Sequence, residues 1–162
     1  LMISNMCPPA YTRRAVGIAV DAAAAAGRPR PAEIVQYAPC AVESGGAEAR
    51  RLAKGLVGSM LSAFWRGGRA SPATQSALRD YSGVAPEEFS RMMARLDGGE
   101  AGPSVLDDRM SALYSVAGTP AQCLDGLRAY EDAGVTELGV WFAADRAIES
   151  IERLGRVLPR LP

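Results

Sequence analysis

The sequence predicts an α/β fold with a parallel sheet, and three observations carry that prediction. Three short, nearly continuous apolar runs, Leu1 to Ser4, Glu33 to Val42 and Glu137 to Phe142, have the length and character of strands buried on both faces. The stretches between them show helical spacing, with proline or cap residues at their starts and glycine at their stops. Each stretch is also long enough for the right-handed crossover that joins neighbouring parallel strands.

The elements follow in order. Leu1-Met2-Ile3 opens as an apolar run with no preceding cap or turn, so the chain is expected to begin inside an element, and Asn5 takes it out into a loop. Pro8 and Pro9 suit the first turn of a helix, the alanine-rich stretch that follows favours it, and Gly27 offers a left-handed stop. A helix from Pro9 to Ala26 results. Arg28-Pro29-Arg30-Pro31 cannot continue it, and Glu33 to Val42 reads as the second strand, with Pro39 near its end. From Gly46 to Arg66, residues Ala49, Leu52, Ala53, Leu56, Val57, Met60, Leu61 and Phe64 fall on one helical stripe. Ser71-Pro72 and Ala85-Pro86 then start two shorter helices, over about 72–82 and 86–96, the second with Glu87 and Glu88 near its positive end. After the breaker-rich Gly98 to Pro103, Leu106, Met110, Leu113 and Tyr114 predict a further helix over Ser104 to Ser115. The stretch from about 70 to 116 is therefore a helical insertion.

Thr119-Pro120-Ala121-Gln122 is a capping box, in which the Thr hydroxyl accepts from the Gln122 amide and the Gln side chain reaches back to the Thr119 N–H. The helix it starts places Cys123, Leu124, Leu127 and Tyr130 on its core face and stops at Gly134, and the third strand follows. Asp145 is positioned to cap a last helix whose Ile148, Ile151, Leu154 and Leu158 repeat at helical spacing as far as Pro159. The minimum sheet has three strands and two open edges, so unpaired backbone groups beside Leu138, Val140 and Phe142 are expected to drive self-association.

Composition narrows the function. The 162 residues are 48% apolar with 18 basic and 18 acidic residues, which fits one soluble domain spanning 1–162. The charges are dispersed along the chain, so neither nucleic acid nor an anionic membrane surface is the expected partner; a small molecule is. No apolar run reaches the length of a membrane span. The sequence contains no histidine, which excludes from this chain a Ser-His-Asp triad, a Cys-His pair and a His-ligated metal site. Cys7, Cys40 and Cys123 form no C-x-x-C, so a disulfide framework and a structural zinc site are not expected, no metal is implied, and a reducing cytoplasm is the natural location.

Gly118 to Val140 (G-T-P-A-Q-C-L-D-G-L-R-A-Y-E-D-A-G-V-T-E-L-G-V) resembles the last repeat of the bacterial luciferase-like superfamily, whose members carry G-T-P-E-x-x-x-x-x-L-x-x-Y-x-x-A-G-V-x-E-L there. Ala121 stands where the family has its acid. Leu1 to Asn5 followed by Pro8-Pro9-Ala10-Tyr11 resembles the family's sixth strand and helix, and Ala26-Gly27-Arg28 to Val42 its turn and seventh strand. The resemblance implies the C-terminal portion, strands six to eight, of a TIM (β/α)8 barrel with its helical insertion before the last strand. It also implies, for the parent protein, oxidoreductase or monooxygenase chemistry with FMN or coenzyme F420 on a small organic substrate. A complete barrel typically needs about 250 residues. The family's phosphate and ring contacts come mostly from the first five strands, so this segment alone is expected to bind neither cofactor tightly, and the resemblance assigns it no catalytic or cofactor-binding residue. The rival expectation is a non-catalytic half-barrel or interaction module.

In such barrels the active site lies at the C-terminal ends of the strands, which here are Asn5-Met6-Cys7, Cys40-Ala41-Val42 and Trp141-Phe142-Ala143. Asn5 is a candidate to direct its amide into the mouth, although a turn asparagine bonding its own backbone explains the residue equally well. Trp141 and Phe142 are pocket-lining candidates, but alternation sends them to opposite faces, so only one can line a pocket. Cys7 has no basic neighbour in sequence to lower its pKa and is expected to be inert. Arg13-Arg14 could reach the anionic tail of F420, whereas on an amphipathic helix such residues ordinarily form the solvated face.

Overall fold

A computed structural model describes residues 1–158, and among them the sheet is parallel throughout. Strand β1 (Met2–Ile3) leads into helix α1 (Pro9–Ala25) and strand β2 (Val35–Val42). Helices α2 (Gly46–Gly67), α3 (Pro72–Asp80), α4 (Pro86–Asp97), α5 (Gly102–Val105) and α6 (Asp108–Tyr114) follow. Strand β3 (Val116–Gly118), helix α7 (Pro120–Glu131), strand β4 (Glu137–Trp141) and helix α8 (Ala147–Gly155) complete the described chain. Strand β2 is the centre: it pairs with β1 through Val35 and Gln36, with β4 from Val35 to Pro39, and with β3 from Cys40 to Val42.

Four strands replace the expected three. Strand β3 falls where the sequence offers only Val116-Ala117-Gly118 between a helix and a cap, too short for a periodicity argument, and it exists because it extends β2 beyond the end of β4. The expected strand Leu1 to Ser4 contracts to two residues, and the helix expected over Ser104 to Ser115 is split. Its first turn belongs to α5, Leu106 is extended, and Asp107 caps α6 by accepting from the Met110 amide at 2.6 Å. Asp145 does not cap the last helix. It lies inside a 3₁₀ turn (Ala144–Arg146), and α8 starts two residues later with no side-chain cap. The apolar stripe expected there is not core either, since only Leu154 is buried, while Ile148 is 75% and Ile151 56% exposed. Pro159, the expected stop, lies outside the described residues.

Strand β4, expected to be buried on both faces, has no buried residue, whereas the remaining elements form for the reasons anticipated. The Thr119 capping box is present in both halves: the Thr119 N–H donates to Gln122 Oε1 at 2.9 Å, and the Gln122 N–H donates to Thr119 Oγ1 at 3.4 Å. Gly27 and Gly134 both adopt positive φ after α1 and α7. Ala49, Ala53, Val57 and Leu61 on the α2 stripe are fully buried. Two cores result. Even-numbered residues Ala38, Cys40 and Val42 of β2 pack with Val116, Cys123 and Tyr130 beneath α7. The insertion builds a second core around Leu61, Phe89, Met93, Met110 and Tyr114, anchored by the Tyr114 hydroxyl donating to the Leu78 carbonyl at 3.0 Å.

Candidate functional site

The site is built where β1 ends. Met6 has φ +60°, and no other non-glycine residue among those described has positive φ. A side chain in that region costs about 1 kcal/mol or more and persists only when its surroundings hold it. Here the holding force is burial: Met6 is 4% exposed and belongs to the core of the insertion. A buried polar bridge fixes the same loop from the other side. Gln36 Nε2 donates to the Cys7 carbonyl at 2.7 Å, and the Thr12 hydroxyl donates to Gln36 Oε1 at 2.6 Å, both side chains being wholly buried. Strand β2 and helix α1 thereby set the height of the loop, and the insertion sets its twist.

The loop, helix α1 and the insertion enclose an open cleft of about 350 Å³. Ser4, Asn5 and Cys7 line its strand side, Tyr11 one flank, and Phe64, Thr74 and Leu78 the insertion side. The Ser4 hydroxyl donates to Asn5 Oδ1 at 3.1 Å, so the Asn5 carbonyl oxygen is occupied while its amide nitrogen has no partner among the described residues. Tyr11 and Tyr81 meet edge to face at 5.1 Å, closing the insertion against α1. Burial raises the Cys7 thiol to about 11 and also raises the Tyr11 phenol, so both groups are neutral at physiological pH. Among the described residues, no Lys, Arg, Asp or Glu lines this cleft.

The three residues singled out from sequence separate. Asn5 is half-buried and lines the cleft, whereas Trp141 and Phe142 do not. Phe142 packs with Leu138, Val140 and Leu127 against the core beneath α7, on the helix side of the sheet. Trp141 stands on the opposite face with Gly139, where a Cβ would lie 2.7 Å from the Tyr37 ring. Of the pair, Trp141 thus takes the side away from the helices, and its indole N–H is buried without a partner. Arg13 and Arg14 are exposed on α1 and line none of the cleft.

Met6 was expected only as part of a strand end, and Gln36, Thr12 and Tyr11 had no expected role in the site. Gln36 alone carried a signal, because a polar side chain within an apolar, doubly covered strand requires a buried partner. At the end of β2, Glu43 is also buried; Arg153 donates to its carboxylate and, at 3.1 Å, to the Val42 carbonyl, tying α8 to the sheet. Among the described residues no cluster of three His, Cys, Asp or Glu could hold a metal, and no helix is long and apolar enough to cross a membrane.

Cofactors of the flavin and deazaflavin kind carry phosphate, and the cleft at Asn5 presents no cation to it. This lining does not fit an anionic tail, although its apolar walls fit an uncharged molecule.

Comparison with known proteins agrees with this architecture. The chain is similar to the coenzyme F420-dependent tetrahydromethanopterin reductase of Methanopyrus kandleri, at 21% identity and a TM-score of 0.68, over 93% of this chain and 43% of that one. It is also similar to the EDTA monooxygenase of Chelativorans sp. BNC1, at 20% identity and a TM-score of 0.50, over 99% of this chain and 43% of that one. The chain thus spans less than half the length of either structure, and at these identities the likeness speaks for the fold. No curated protein matches. The sequence model of the luciferase-like monooxygenase family matches residues 1–137, from the first strand through the Thr119 capping box to the start of the last, and the chain belongs to that family.

Proposed function

We propose that this chain forms strands six to eight of a (β/α)8 oxidoreductase barrel acting on a small organic substrate with FMN or F420, and that the cleft beside Asn5 is the substrate-facing wall of its mouth. One observation carries the reading: the cleft opens at the C-terminal end of β1, where a barrel of this class places its active site, and it is shaped by a strained, buried-bridge loop. The cofactor supplies the redox chemistry when bound. This chain's residues would position the substrate and keep water from it. Asn5 has a free amide nitrogen for a substrate acceptor atom, and Phe64, Leu78 and Met6 give an apolar wall. The grip on the cofactor's phosphate falls to groups outside this cleft, because nothing in its lining neutralises an anion.

Spectroscopic titration of the full-length protein with FMN and with F420 tests the reading. Binding of either at micromolar or lower Kd, about −8 kcal/mol, is expected, together with a perturbed cofactor spectrum on adding substrate. Failure to bind both would favour the alternative, a non-catalytic half-barrel.

A further inference from the structure

The cleft beside Asn5 is lined, among the described residues, by no charged side chain. Its walls are apolar and aromatic, its polar groups are the hydroxyls of Ser4 and Thr74, the Asn5 amide and two neutral acids, and its volume of about 350 Å³ lies at the small end of the range for small-molecule sites. An anion entering it would give up hydration with no counter-charge to replace it, whereas an uncharged molecule would give up little. Two side-chain donors of the lining, the Asn5 amide nitrogen and the Tyr11 hydroxyl, have no partner among the described residues and call for acceptor atoms on the ligand. We infer that the cleft takes an uncharged, largely apolar organic substrate of one or two rings bearing a hydroxyl, carbonyl or ether oxygen, and that it rejects carboxylates, sulfonates and phosphates of the same size. Calling the occupant a substrate rests on the function proposed above; the charge preference does not.

The test uses the full-length protein and three probes of one shape, 2-naphthol, 2-naphthoate and naphthalene-2-sulfonate, in calorimetric titrations at pH 7. The naphthol is expected to bind at least ten-fold more tightly than either anion, and nuclear Overhauser contacts from its ring protons should reach the methyls of Thr74, Ala77 and Leu78. Ala77→Trp fills the cleft from α3 and should weaken naphthol binding at least ten-fold. Ala73 lines the cleft from an exposed position on α3, so Ala73→Arg should fold normally and raise sulfonate affinity relative to naphthol. Equal or tighter binding of the anions by the unaltered protein would overturn the inference. So would naphthol contacts elsewhere on the protein, or an Ala73→Arg variant with unchanged preference. Loss of FMN and F420 binding with the naphthol preference intact would instead overturn only the proposed function.

Discussion

Replacing Gln36 by leucine should loosen the mouth loop at a cost that can be worked out from its hydrogen bonds. The side chain is wholly buried and makes two bonds, to the Cys7 carbonyl and from the Thr12 hydroxyl. A hydroxyl has one proton to give, and the second acceptor near Thr12 Oγ1 is the Pro8 carbonyl at 3.2 Å. In Gln36→Leu the hydroxyl turns to Pro8 and remains satisfied, but the Cys7 carbonyl loses its donor. A buried group left without a partner costs about 1–3 kcal/mol, partly offset by the apolar leucine, so a loss of about 2 kcal/mol is expected. Thr12→Val leaves Gln36 Oε1 unpaired and should cost about 1 kcal/mol. In the double variant that oxygen is gone, so the double should cost no more than Gln36→Leu alone, a coupling of about 1 kcal/mol. Urea unfolding of the four proteins measures this, and amide exchange across residues 4–8 locates it. A Gln36→Leu cost below about 0.5 kcal/mol, or strict additivity, would refute the bridge as the element holding the loop.

Other substitutions probe the frame around the site. A Cβ on Gly102 would lie 2.0 Å from the Lys54 carbonyl oxygen, so Gly102→Ala must push α5 off α2 and should cost about 3 kcal/mol in thermal or urea unfolding. Thr119→Ala removes one half of the α7 capping box and should cost about 1 kcal/mol, with Thr119→Ser restoring most of it by the same measurement. Among the described residues β4 has no strand on its far side, and Leu1, Met2, Ile148 and Ile151 are exposed apolar groups. This segment produced on its own should therefore self-associate, and sedimentation showing a monomer at high concentration would count against open edges.

The fold was legible in the sequence wherever a local rule governs. Periodicity placed α2, proline starts placed α1, α3 and α4, and the Thr119 to Gln122 box placed the start of α7 to the residue, because each depends on contacts within a turn or two. Elements decided at long range were missed. Strand β3 is three residues that owe their conformation to β2, more than seventy positions earlier in the chain. The 3₁₀ turn Ala144–Arg146 takes up Asp145 before α8 starts, and α8 is tied to the sheet from its last turn by Arg153 reaching Val42 and Glu43, a contact more than a hundred positions apart in the chain.

The candidate site divides along the same line. Asn5 could be read from its place after a strand, since the C-terminal end of a barrel strand is where a mouth lies. Its surroundings could not, because the cleft joins the β1 loop to Phe64 on α2 and to residues 73–78 of α3, far later in the chain. Met6 shows why. By sequence it is one more apolar residue beside a turn, yet it takes the left-handed conformation so that its side chain enters the core of the insertion. That trade, about 1 kcal/mol of backbone strain against a buried side chain worth about 2 kcal/mol, joins the insertion to the mouth. Packing changes inside the insertion can therefore act on the loop that carries Asn5 without any residue of the loop being altered.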